Sequence, residues 1–207
     1  NTPMNTRQEQ DVTLRVAGID PGTTTLGLSF LDLNLSNGRC VIAYSKTADG
    51  GKLGKDYRLE AETHGDRFAR LTAIEDFLFV VFEMMQPHAF CTESPFLRKF
   101  PATFAALTEC VSHCRRAVHR YDRHARMDTV DPPTAKLGVG MTIKKGATKD
   151  DVKAAILRLV DSKLPNGLPA LEVAPDVNLA ELDEHEIDSI AVAYHLVQQL
   201  RKQIPGL

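Results

Sequence analysis

The chain has 207 residues, of which 43% are hydrophobic and 25% charged, with a formal net charge of −2. That balance excludes a disordered or low-complexity chain and supplies enough apolar material for a sizeable core. No apolar run approaches the roughly 20 residues that span a bilayer, and the four cysteines (Cys40, Cys91, Cys110, Cys114) fall inside predicted strands and a helix, which reads as reduced thiols in a cytosolic compartment.

In chain order, residues 1–12 are polar, lack a signal-peptide pattern, and read as a flexible arm ahead of one domain over 13–207. Leu14 to Asp20 is an apolar, β-prone run ending in a carboxylate. Pro21-Gly22 turns the chain, with Gly22 accepting a conformation that a Cβ would oppose. The Thr23-Thr24-Thr25 run adds hydroxyls and backbone amides. Leu26 to Asn34 and Arg39 to Ser45, joined by Asn37-Gly38, complete a three-stranded antiparallel meander. Gly50 to Gly54 reads as a flexible loop.

Phe68, Leu71, Leu78 and Phe82 recur at helical spacing, predicting an amphipathic helix over Gly65 to Met85. His88 to Glu93 is a short strand that also ends in a carboxylate. Pro101 opens a helix reaching about His119, with Phe104, Leu107, Val111, Cys114 and Val118 along one stripe. Ala125 to Val130 is a fifth strand, and Pro132-Pro133 starts a short helical turn around Ala135-Lys136. A basic loop follows, then a helix from Lys149 or Asp150. Pro165 to Pro175 reads as a surface loop, and the last helix spans about Leu182 to Lys202. The order predicts an α/β fold, a mixed five-stranded sheet with helices on both faces.

Charge is segregated. Arg98 to Arg126 carries seven Lys/Arg against two acids, Lys136 to Lys149 four lysines and no acid, and Glu172 to Asp188 seven acids and no Lys or Arg. Solvated helix faces would account for part of this. The segregation suggests a basic surface beside an acidic site whose charges cancel in the total, and it directs attention to nucleic acid.

The acidic candidates are Asp20 and Glu93 at two strand tips, with Glu184, His185 and Asp188 one turn apart on the last helix. Ile187, Ile190, Ala191 and Tyr194 form the adjacent stripe that would press that helix onto the sheet. Hard oxygen donors in this number suit Mg²⁺. Cys110, His113, Cys114 and His119 are spaced by about a turn on one helix. That does not match separated zinc knuckles, and core packing is the better reading.

Four stretches together resemble the RuvC-type Holliday junction resolvases of the ribonuclease H-like superfamily. They are Gly18-Ile19-Asp20-Pro21-Gly22, Thr92-Glu93-Ser94-Pro95-Phe96, Pro133 to Gly140 with Ala147 to Val152, and His185 to Ala193. The resemblance implies a ribonuclease H-like fold and a divalent-metal-dependent endonuclease that nicks branched DNA symmetrically, leaving 5′-phosphate and 3′-hydroxyl ends. It implies Asp20, Glu93, His185 and Asp188 as metal ligands for two Mg²⁺ ions, with Mn²⁺ able to substitute. His185 departs from the family's acidic pattern, and Glu184 is the alternative donor. Lys136 and Lys149 are implied near the scissile phosphate. Phe96 is implied against an unpaired base, where a core-capping role is the plain alternative. Arg98, Lys99, Lys136, Lys144 and Lys145 complete the expected DNA contacts. A homodimer acting on a four-way junction is implied, with the Pro101–His119 helix at its interface and a cytoplasmic location. Three other functions compete: a less selective branched-DNA nuclease, a non-catalytic junction-binding protein, and an ATPase of the actin and chaperone type. The last needs a second Gly-rich phosphate loop that this chain lacks.

Overall fold

The computed structural model describes residues 12–96, 100–142 and 149–204. Strands β1 (Thr13–Asp20), β2 (Thr25–Asn34) and β3 (Cys40–Asp49) form the expected antiparallel meander. After β3 come α1 (Gly50–Leu53), a 3₁₀ turn (Gly54–Asp56), α2 (Arg58–His64) and α3 (Asp66–Met85). Next are β4 (Ala89–Glu93), α4 (Pro101–Tyr121), β5 (Met127–Val130) and α5 (Pro132–Gly138). Finally come α6 (Lys149–Asp161), β6 (Glu172–Val173) and α7 (Glu184–Gln203). The sheet order is β5-β4-β1-β2-β3-β6, with β4 parallel to β1 and β5, and β6 parallel to β3.

The fold class is the expected one, with two local corrections. The sheet has six strands, because Glu172–Val173 adds to the β3 edge within the expected Pro165–Pro175 loop. Arg39 and Glu172 form an ion pair across that edge, and Leu171 is fully buried beneath it. The Gly50–Gly54 segment is helical rather than a free loop. Asp49 accepts from the Lys52 amide at 3.0 Å, and the Gly50 amide donates to the Thr24 carbonyl at 2.7 Å. The Asp49 cap and the tertiary bond to Thr24 together offset the weak helix propensity of glycine.

The period-two alternation of the strands sorts side chains into two cores. Ala17 and Ile19 of β1, Leu26, Leu28 and Phe30 of β2, and Phe90 of β4 pack against α3 and α4. Val16 of β1, Leu31 and Leu33 of β2, and Cys91 of β4 pack against α5, α6 and α7. The α7 stripe of Ile187, Ile190, Ala191 and Tyr194 is buried as its spacing requires, each large side chain contributing about 1.5–3 kcal/mol. All four cysteines are buried free thiols. Burial pushes those of Cys40 and Cys91 up to about 12, so both are protonated packing groups. No described helix is long and apolar enough to cross a membrane.

Two residues of the expected core stripes are exposed. Phe68 lies on the outer side of α3, against the rings of His64 and His113 at 4.8 and 6.3 Å. Phe104, in the first turns of α4, is likewise partly open to solvent, whereas Val111, Cys114 and Val118 further along are buried. Helical spacing identifies a stripe but does not say where the sheet beneath it ends.

Candidate active site

The same alternation decides where the strand-borne carboxylates point. Asp20 shares parity with Val16 and Gly18, and Glu93 with Cys91, so both emerge on the α7 side of the sheet. Parallel pairing of β1 with β4 brings their C-terminal tips side by side, with Ile19 opposite Thr92.

Helix α7 reaches these tips because two glycines let it lie almost on the strands. A Cβ on Gly18 would stand 2.2 Å from the Ser189 carbonyl oxygen, and one on Gly27 would stand 2.0 Å from that of His185. A buried hydroxyl cluster locks the contact. Ser29 Oγ lies within hydrogen-bond distance of Ser45 Oγ and Ser189 Oγ, and Ser189 also donates to the Glu186 carbonyl at 2.7 Å. The helix starts on a capping box. Asp183 accepts from the amides of His185 and Glu186 at 2.9 and 3.0 Å, and the Glu186 side chain accepts from the Asp183 amide at 2.8 Å. Burial pushes the Asp183 carboxyl up, but the Glu186 amide, the Thr47 hydroxyl and the His185 amide outweigh it and hold it below the usual range.

The result is a cleft of about 390 Å³ whose walls include Asp20, Glu93, His185 and Asp188. Lys136 is also in the wall, carried by α5, which follows β5 directly and is capped by Asp131 through the Thr134 amide at 2.9 Å. Phe96, expected from the sequence, borders the cleft and is exposed. So do Phe100, Phe104 and Leu107, which sequence reasoning either passed over or assigned to the core. Arg98, Lys99, Lys144 and Lys145 lie outside the described residues. Lys149 begins α6, with its side chain likewise outside them. Glu184 is not in the cleft wall, its Oε1 lying 3.6 Å from His185 Nε2.

His185 is held from both sides. Its Nδ1 lies 2.8 Å from Asp20 Oδ2 and its Nε2 lies 2.9 Å from Thr25 Oγ1. The bond to Asp20 raises the pKa of the ring; burial opposes this, and the charges of Asp20, Glu184 and Asp183 reinforce it. Thr25 was visible in sequence only as part of a hydroxyl run. Among the described residues, no three His, Cys, Asp or Glu side chains already form a closed metal-holding group. The donor chemistry nonetheless fits Mg²⁺, an ion usually held by one or two carboxylates, waters and substrate phosphates rather than by an all-protein cage. The cysteine-histidine set on α4 is engaged otherwise. Cys110 and Cys114 are in the core, and His113 Nδ1 sits 2.8 Å from buried Glu75 Oε2.

No protein-family model matches the sequence, and no curated protein matches it either. Solved structures do. RuvC from Thermus thermophilus, in complex with a Holliday junction substrate, is similar over 91% of this chain and 96% of its own, with a TM-score of 0.63 at 16% identity. A further Thermus thermophilus RuvC structure has a TM-score of 0.63 at 17% identity over 92% of this chain and 98% of its own. The yeast mitochondrial Holliday junction resolvase Ydc2 matches 92% of this chain and 81% of its own, with a TM-score of 0.61 at 16% identity. The chain therefore has the ribonuclease H-like fold of the RuvC resolvases.

Proposed function

We propose that the protein is a divalent-cation-dependent endonuclease that resolves four-way DNA junctions. The observation that carries this reading is the gathering of Asp20, Glu93, His185 and Asp188 from β1, β4 and α7 into one cleft edged by exposed phenylalanines and Lys136. The likeness in fold to resolvases, one of them bound to a Holliday junction, supports it.

In this reading Asp20, Glu93, His185 and Asp188 would hold two Mg²⁺ ions, or Mn²⁺ in their place. Such a pair supplies an activated water and stabilises the leaving oxygen of a phosphodiester. Lys136 and Lys149 offset charge that develops on the scissile phosphate. Phe96, with Phe100 and Phe104 beside it, offers faces on which an unpaired base can stack, worth about 1–3 kcal/mol per base. Arg98, Lys99, Lys144 and Lys145 hold backbone without reading sequence. The products are a 5′-phosphate and a 3′-hydroxyl. A junction is nearly two-fold symmetric, so paired cuts call for a homodimer with two such clefts, and α4 is the candidate interface. Four buried thiols accord with a reducing, cytoplasmic setting.

The test is strand-resolved mapping of products from a labelled synthetic four-way junction in Mg²⁺, beside flap, three-way and linear DNA. Paired, ligatable nicks confined to the junction are expected. Asp20→Asn should reduce them to background while the junction is still bound. Binding without any nick would instead mark a non-catalytic junction-binding protein, and equal cutting of all branched substrates a less selective nuclease.

A further inference from the structure

Between β3 and α3, the chain folds into a second recess that the proposed chemistry does not use. Helix α1, the 3₁₀ turn and α2 lie against the first half of α3. They enclose a pocket of about 310 Å³ lined by Lys55, Arg58, Asp66 and Arg70, with small residues between them. Three cations thus face one acid. Arg58 is tied to Glu62 at 2.8 Å on the outer surface, whereas Lys55 and Arg70 form no ion pair among the described residues. Arg70 is the informative one. Its Nε is fully buried and has no hydrogen-bond partner among the described residues, and its stem is pinned where a Cβ on Gly54 would stand 3.0 Å from Arg70 Cγ. With Nε out of reach of solvent, the terminal guanidinium nitrogens are the ones that can meet an anion in the recess, and they carry charge at every relevant pH.

The recess sits at the same end of the sheet as the cleft. The Gly50 amide bonds to the Thr24 carbonyl, only four residues beyond Asp20, and Gly51 lines the recess. We propose that Lys55, Arg58 and Arg70 form an anchoring site for a backbone phosphate of DNA whose scissile strand lies in the cleft. The ligand class follows from the lining. Guanidinium and ammonium groups suit a phosphodiester oxygen, and the described lining offers no aromatic face for a base. The proposal rests on the nuclease reading of the cleft and adds a contact on the opposite, α3 side of the sheet edge.

The experiment measures binding of the full-length chain to a fluorescent four-way junction by anisotropy, in Ca²⁺, over a series of salt concentrations. For the Lys55→Gln/Arg70→Gln double variant, affinity should fall by about 10-fold. The slope of log K against log salt should become shallower by about 1, the share of one phosphate contact. Lys55→Glu alters an exposed side chain and no buried donor, and it should weaken binding even if the double variant does not fold. A folded double variant, or Lys55→Glu, with parental affinity and salt slope overturns the anchoring site alone. A parental protein that binds no junction at all rejects the resolvase reading, and this proposal with it.

Discussion

Replacing Gly18 with alanine tests how α7 is held over the strand tips. The new Cβ would lie 2.2 Å from the Ser189 carbonyl oxygen and 2.6 Å from both the amide nitrogen and the Cβ of Ala193. Ordinary contact begins at 3.4 Å, so the helix must rise or tilt by about 1 Å, because close-packed backbone cannot absorb the overlap locally. Overpacking of this kind costs about 1–3 kcal/mol. The upper half of that range is expected here, since α7 covers β1, β2 and β4 together. In a chain of this size each kcal/mol lowers Tm by about 2–4 °C, which gives a total of about 4–12 °C. The same movement carries His185 and Asp188 away from Asp20, and a misplacement of about 1 Å can cost about 100-fold in rate. Thermal unfolding and junction nicking measure the two effects separately. Gly138→Ala is the control, since among the described residues its Cβ would have only His195 Nδ1 nearby, at 3.9 Å, and it should unfold within about 1 kcal/mol of the parent. A Gly18→Ala protein as stable and as fast as Gly138→Ala would show that α7 does not bear on β1 at this point.

Three further expectations concern the cleft and its supports. Thr25→Val removes the partner of His185 Nε2 at nearly constant volume. It should weaken the divalent-cation midpoint of cutting about 10- to 100-fold, with Thr25→Ser restoring it, and an unchanged midpoint in a Mg²⁺ titration would remove Thr25 from positioning the ring. Phe96→Ala should slow cutting of intact junctions more than of substrates with a pre-opened centre; equal loss on both would argue against base stacking. Asp131→Ala should lower stability by about 0.5–2 kcal/mol at neutral pH by uncapping α5. Hydrogen bonds from the Thr134 hydroxyl and then its amide hold the Asp131 carboxyl below its usual range. The capping contribution is therefore complete above the unfolded-state pKa and is lost as pH falls through the lower folded value. Urea unfolding of both proteins from pH 7 to pH 3 should show their difference shrinking in the acid limb, and a difference that grows there would contradict the cap.

How much of this could be read from sequence depends on the range of each interaction. The strand-tip carboxylates were legible because each closes a short β-prone run just before a turn signal, Asp20 ahead of Pro21-Gly22 and Glu93 ahead of Ser94-Pro95. The α7 group was legible because Asp188 follows His185 by three residues beside an apolar stripe. Both are local rules. Strand β6 was not legible, since two residues have no periodicity and Glu172–Val173 is defined by pairing with Val41 and Ile42 far earlier in the chain. Helix α1 was obscured by Gly50, Gly51 and Gly54, whose poor propensity is overruled by bonds to Asp49 and Thr24. The Thr25–His185 contact joins residues 160 apart and left no trace beyond a run of threonines. Phe104 shows the remaining difficulty. A phenylalanine at core spacing and one at the mouth of a cleft obey the same helical pattern, and only the end of the sheet beneath α4 separates them. Fold similarity across almost the whole chain at 16% identity follows from the same division. Apolar positions can exchange freely while burial is kept, whereas a glycine pressed against a helix, as Gly18 is against α7, has few substitutes.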